Sequence, residues 1–250
     1  MKTVKTIWSA LVESYKLFNR PLALPSYITL NEKYGITSVD NDVAKLSLGY
    51  YTIGLGSSSM SSTIVHNSSD REVFTPVPFL IVPTSIGLTT AQLNTYMMRE
   101  VRVINNVEYI LCHVKKVTAI DVDKIAYLVE YNQANQVFTP VEYAPPQAYT
   151  STPTSGTCDG TGLSPFYAIS SKISMQLTID EIANINAASN ILYGNAAPTI
   201  SEVGIYAGIE DNAGELSNTI PYMFKSIGLD NYKTDGSISV IVNIGGMTPT

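Results

Sequence analysis

A chain of 250 residues with a formal net charge of −6 and only 14% charged residues is long enough for one large domain or two ordinary ones with a proper core. No basic run exceeds Lys115-Lys116, and this acidic balance argues against nucleic-acid binding, because phosphate neutralisation needs clustered Lys and Arg. Two cysteines, Cys112 and Cys158, are too few for a disulfide framework, and no apolar run approaches the roughly 18 residues of a membrane span.

The charged fraction of 14% lies well below the roughly 25% of ordinary soluble domains. The surface is therefore built from Ser, Thr, Asn, Tyr and Gly, or is covered by partners. The opening residues are positive, but Glu13, Ser14, Tyr15 and Lys16 interrupt any apolar core of a secretory signal.

In chain order, residues 1–18 predict a helix, with Ile7, Ala10, Leu11, Ser14 and Phe18 near one face. Pro21 and Pro25 end it and begin an extended arm, for docking on the domain or on a neighbouring subunit. Lys45 to Leu55 reads as a strand, and its glycines suggest a bulge or a close backbone approach. Gly56 to Thr63 is a Ser-rich loop. The Gly-x-Gly before it is not a phosphate loop, since neither a Gly-Lys-Ser/Thr nor a third glycine follows. Phe74 to Pro83 is extended, with prolines that mark an edge. Thr89 to Met98 predicts a short helix, with Thr89 and Gln92 at capping-box spacing. Arg99–Val103 and Val107–Val117 flank Asn105-Asn106 as a hairpin, because Asn tolerates the positive φ of a two-residue turn. Residues 125–131 and 136–143 form a second hairpin candidate.

The stretch 144–165, rich in Pro, Gly, Ser and Thr, reads as a linker or long loop. Phe166 to Leu177 follows as a strand. Thr178 to Leu192 predicts a helix with Thr178 and Glu181 at capping-box spacing, and Ile182, Ile185, Ser189 and Leu192 on one face. From Pro198 to Ile244, three strand-length apolar runs separated by turn residues predict an antiparallel meander. The expected organisation is an N-terminal helix and arm (1–25), a β-rich domain (26–143), the linker (144–165) and an α+β domain (166–250). The expected fold class is α+β and β-dominated, with antiparallel, sandwich-like sheets and a few short helices.

Candidate chemistry is sparse. Cys112 and His113 are adjacent in a strand and so point to opposite faces, a poor nucleophile–base pair. His66 sits in a Ser/Asn loop with no nearby ligand partner. Two histidines and two cysteines make a tetrahedral zinc site improbable. Asp121 and Asp123 could share a strand face, but no calcium-loop spacing follows. Cys158-Asp159 falls in the linker. Paired carboxylates for glycoside hydrolysis are a spatial matter that sequence does not reveal. The sixteen tyrosines, among them Tyr50, Tyr51, Tyr143, Tyr149, Tyr193, Tyr206, Tyr222 and Tyr232, suit either interfaces or sheet packing. Glu202, a carboxylate inside an apolar strand, must face solvent or find a partner. No catalytic, cofactor-binding or metal residue is assigned, and no cofactor is called for.

Ile200-Ser-Glu-Val-Gly-Ile-Tyr206, the Asp211–Gly214 turn, Pro221-Tyr-Met-Phe-Lys225 and the final Ser-Ile-Ser-Val-Ile-Val strand together resemble virion proteins of tailed bacteriophages. Baseplate-wedge and related tail-structure proteins are the most similar. Tyr50-Tyr-Thr-Ile-Gly-Leu-Gly56 and Ala187-Ala-Ser-Asn-Ile-Leu-Tyr-Gly194 add to the resemblance. It implies a non-enzymatic structural subunit of a tail or baseplate, made in the host cytoplasm and resident in the virion. Its partners would be other virion structural proteins and copies of itself in a symmetric assembly, with no nucleic acid and no membrane. The alternative is a carbohydrate- or receptor-binding fibre or adaptor module.

Overall fold

The fold is that of a computed structural model, which describes residues 3–23, 29–31, 33–36, 40–56, 66–117, 119–121, 126–132, 137–142, 163–227 and 238–249. The chain is β-dominated, with antiparallel sheets and a few short helices. Helix α1 spans Ile7–Leu17, α2 Thr90–Thr95 and α3 Ile179–Tyr193. Each begins at a threonine whose hydroxyl accepts a first-turn N–H: Thr6 from Ser9, Thr89 from Gln92, and Thr178 from Glu181. In α2 and α3 the Gln92 and Glu181 side chains reach back to the cap N–H, completing both expected capping boxes. Gly194, at φ 68°, closes α3 in the left-handed conformation that glycine adopts without a Cβ penalty.

The first sheet contains β1 (Thr3–Lys5), β2 (Ser47–Gly54), β3 (Pro76–Val77), β4 (Leu80–Pro83), β5 (Tyr96–Ile104) and β6 (Val107–Lys116). It also contains β11 (Glu202–Glu210) and β12 (Leu216–Ser226). Its main order is β1-β12-β11-β2-β6-β4, with β3 paired to β2 and β5 to β6. The second sheet holds β7 (Ala119–Asp121), β8 (Ala126–Asn132), β9 (Val137–Glu142), β10 (Leu163–Leu177) and β13 (Ile238–Pro249). Its order is β13-β10-β8-β9, with β7 on β10.

These pairings redraw the expected domains. The described residues fall into two units, one within Met1–Val117 and Leu177–Ile238, the other within Thr118–Gln176 and Ser239–Thr250. The expected break at 144–165 lies almost wholly outside the described residues. Its flanking strands β9 and β10 both border β8, so that segment connects strands of one sheet. The meander holds for β11 and β12, but β13 joins β10 in the other sheet. Alternation specifies which face a strand buries and leaves its neighbour open.

Hairpin β5–β6 turns at Asn105 and Asn106, with φ of 50° and 61°, the mirror-image turn that its sequence calls for. Hairpin β11–β12 turns at Asp211–Gly214, where the Asp211 carboxylate accepts the N–H of Ala213 and Glu215. Residues 203–209 of β11 and 216–224 of β12 are buried without interruption, so both faces are covered. Beneath one lie Leu30, Tyr34, Tyr50, Val73, Met97, Met98, Val114, Tyr206, Leu216 and Phe224. A second cluster joins Val12 of α1 to Leu22, Val43, Leu46, Ala207, Ile209 and Ile220, flanked by Trp8, Leu11 and Tyr15.

That second cluster corrects the expected face of α1, since Ile7 and Phe18 are 49% and 69% exposed. Trp8, Leu11, Val12 and Tyr15 have the same helical spacing, and the larger aromatic surface is the one buried. The helix docks on its own sheet: the Thr6 hydroxyl donates to the Pro221 carbonyl at 2.6 Å while its backbone N–H bonds Tyr222. No helix of the described residues is long and apolar enough to cross a membrane.

Candidate functional site

Glu202 opens β11 directly opposite Gly54 of β2. Its side chain is fully buried, and it finds its partner in His66, whose Nε2 lies 2.5 Å from Glu202 Oε2. The other ring nitrogen, Nδ1, lies 3.1 Å from Asp70 Oδ2. The turn at residues 67–70 holds Asp70 in place, because the same carboxylate oxygen accepts the Asn67 N–H and the Asp70 N–H returns to the Asn67 carbonyl. Phe74 and Phe224 stack on the imidazole at centroid distances of 4.8 and 4.6 Å. The ring is thus fixed at both edges and both faces.

From the sequence His66 had no nearby ligand partner; the structure gives it two carboxylates, Asp70 four residues on and Glu202 136 positions away. Both ring nitrogens lie within hydrogen-bond distance of a carboxylate oxygen. A general-base histidine needs one nitrogen directed at a nucleophile and the other at its orienting group. Here carboxylates occupy both, which suits a strut that ties the 66–74 loop to β11.

Gly54 is what lets the carboxylate fit. A Cβ there would lie 2.6 Å from both Glu202 Oε1 and the Phe74 carbonyl oxygen, and the backbone atom cannot move aside. Gly54→Ala is expected to cost about 1–3 kcal/mol by overpacking. A urea midpoint equal to that of the parent would refute this close fit.

Beside the strut is a surface cleft of about 570 Å³, lined by Thr29, Leu30, Lys33, Ser69, Asp70, Arg71, Glu72 and Phe74. Lys33 pairs with Glu72 at 2.6 Å, and the Tyr34 hydroxyl donates to the same carboxylate at 2.9 Å. Burial and the Glu72 charge push the Tyr34 phenol well above its ordinary range, so it serves as a donor.

A second buried network anchors α3. Tyr51, Lys115 and Tyr96 align across β2, β6 and β5. Lys115 Nζ and the Tyr96 hydroxyl each lie 2.5 Å from Glu181 Oε1. Glu181 Oε2 accepts the Thr178 N–H at 2.8 Å. Burial raises the Glu181 pKa, but the bonds from Lys115, Tyr96 and Thr178 outweigh it and hold the carboxyl below its usual range. The capping spacing revealed Glu181 as a cap; its ion pair with Lys115 is a long-range feature.

Cys112 and His113 form no dyad. Cys112 is fully buried, and burial pushes its thiol up to about 12, so it is inert. His113 Nε2 lies 3.1 Å from Glu100 Oε2, with its ring 4.6 Å from that of Tyr34. Burial lowers the His113 pKa despite the carboxylate, so the neutral ring donates Nε2–H to Glu100. That bond, with Arg102, holds Glu100 near 2 against its own partial burial. Both shifts have the same sign for stability: each folded-state pKa lies below its unfolded value. The His113 contribution is fully present above about pH 6.5 and is lost as pH falls below that value. The Glu100 contribution goes between about pH 4.5 and 2. His113→Gln keeps a donor but does not titrate, so its stability should fall less than the parent's between pH 7 and 5. Parallel urea-melt profiles over that range would contradict the assignment.

Asp121 lies in β7, while Asp123, Cys158, Asp159, Tyr143, Tyr149 and Tyr232 lie outside the described residues, as does the loop at 57–63. Among the described residues no cluster of three or more His, Cys, Asp or Glu is arranged to hold a metal ion. Tyr50, Tyr51, Tyr206 and Tyr222 are buried in the first unit, whereas Tyr193 is half exposed.

Fold and site together define a β-sheet protein whose buried charges tie strands and loops to one another. The chain belongs to the Family of unknown function (DUF7208), whose sequence pattern matches residues 1–227, a span that holds β1 to β12 and ends before β13. No curated protein and no solved structure matches it.

Proposed function

We propose that this chain is a non-enzymatic structural subunit of a bacteriophage tail or baseplate, acting through assembly contacts with other virion proteins and with copies of itself. The observation that carries the reading is the His66 strut, with both nitrogens on carboxylates and both faces on phenyl rings. The group best suited by type to acid–base work is used up in holding the fold. The resemblance of the β2 and β11–β12 segments to virion proteins supplies the particular assembly, and the low charged fraction of 14% suits a surface that partners cover. The test is quantitative mass spectrometry of gradient-purified tailed particles from a lysate that produces the chain. A fixed copy number per particle supports the reading; recovery only in the particle-free fraction overturns it.

The cleft favours a second reading, a carbohydrate- or receptor-binding module. Phe74 is 44% exposed there, beside Asp70 and Glu72, and sugars stack on aromatic faces while bonding carboxylates. Glycan-array binding abolished by Phe74→Ala would favour it over the first, and an array without hits would remove it.

A further inference from the structure

Strand β5 bonds to β6 along its inner side, and among the described residues no strand pairs with its outer side. The two-residue turn makes Ile104 and Val107 a hydrogen-bonded pair. By the alternation of antiparallel ladders, Arg102 and Glu100 also bond inward, which turns the N–H and C=O of Val101 and Val103 outward. Val101 and Val103 share one face and are 59% and 65% exposed. Residues 99–103 contain neither proline nor lysine, the usual guards of a free edge.

Resting on the assembly reading above, we propose that this edge pairs with the same edge of a second copy, antiparallel about a two-fold axis through Val101. The charges select that register. Glu100 then faces the partner's Arg102, Arg102 faces the partner's Glu100, and the outward groups of Val101 bond those of the partner's Val101. Centring on Arg102 also aligns the outward groups of Val101 and Val103, but it sets arginine against arginine, which repels. Centring on Val103 sets Arg102 against the apolar Ile104 and brings the Asn105 turn opposite Val101. The ladder stops at Met98, whose N–H is already held by Glu215 Oε1 at 2.6 Å. Pairing therefore spans Arg99 to Val103 and joins two three-stranded β4-β6-β5 segments into one continuous sheet. A strip so short buries less than the roughly 1,000 Å² of an independent interface. The isolated dimer is accordingly weak, with a dissociation constant on the order of 10–100 μM, and gains strength where further contacts raise the effective concentration.

The test is sedimentation equilibrium of the full chain over a range spanning that constant. The parent is expected to show a monomer–dimer equilibrium. Arg102→Glu sets glutamate against the partner's Glu100 and is expected to raise the dissociation constant at least about tenfold. Val101→Pro removes an outward N–H while sparing the β5–β6 ladder and is expected to do the same. Arg102→Glu alone decides the matter if the proline variant does not fold. A monomer throughout the range, or a constant unchanged in Arg102→Glu, overturns the proposal. Particle association is independent of this readout: a monomer found in particles rejects the edge contact alone, and a dimer absent from particles rejects the virion role alone.

Discussion

Replacing His66 with leucine is expected to cost about 3–5 kcal/mol of folding stability, the typical loss when the partner of a buried carboxylate is removed. Glu202 is fully buried, and its Oε1 has no hydrogen-bond partner among the described residues, so His66 carries the compensation through Oε2. Leucine is apolar and close in size, so the stacking with Phe74 and Phe224 changes less than the charge balance does. The companion variant removes the stranded charge as well: His66→Leu with Glu202→Met should recover more than half of the loss. Urea melts followed by intrinsic fluorescence measure both. A single-variant loss under about 1 kcal/mol would mean that the Glu202 charge is compensated elsewhere and that His66 is not its counterpart.

Lys115→Met is expected to have an effect of similar size, about 3–5 kcal/mol, for a different structural reason. It strands Glu181, whose side chain is 8% exposed, at the start of α3. The Tyr96 hydroxyl and the Thr178 N–H still contact the carboxylate, but neither brings a positive charge. Adding Glu181→Gln should recover much of the stability, because Gln preserves the capping box while removing the charge. If Lys115→Met alone leaves the urea midpoint within error of the parent, the ion pair does not fasten the helix to the sheet. Equal losses in the single and double variants would instead assign the effect to the lost lysine stem.

What could be read from sequence was local. Thr89 with Gln92, Thr178 with Glu181, and Asn105-Asn106 each place their signal within four residues, and all three formed as expected. The same locality explains the failures. In α1 two faces had helical spacing, and only the sheet beneath decides that Trp8 and Val12 go inward. In β13 the alternation was legible but the neighbour was not, since pairing with β10 rather than β12 is a long-range choice. The site shows the limit most sharply. Glu202 was conspicuous as a carboxylate in an apolar run, whereas the one local mark of His66 was Asp70 four residues on, and its partner Glu202 comes from the far half of the chain.

The strand nearest the start of the chain, β1, pairs with β12 through Thr3–Lys225, Val4–Phe224 and Lys5–Met223. During synthesis β1 therefore leaves the ribosome well before its partner β12, one of the last strands of the first unit. At roughly 5–20 residues per second, that delay is on the order of tens of seconds. β2 waits similarly for β11, and the strands between them emerge with their edges open. Pairings of such high sequence separation form late and slowly, so this part of the first unit's sheet closes only once β11 and β12 have emerged. A growing chain of this kind has reason to be held by a chaperone until β11 and β12 arrive.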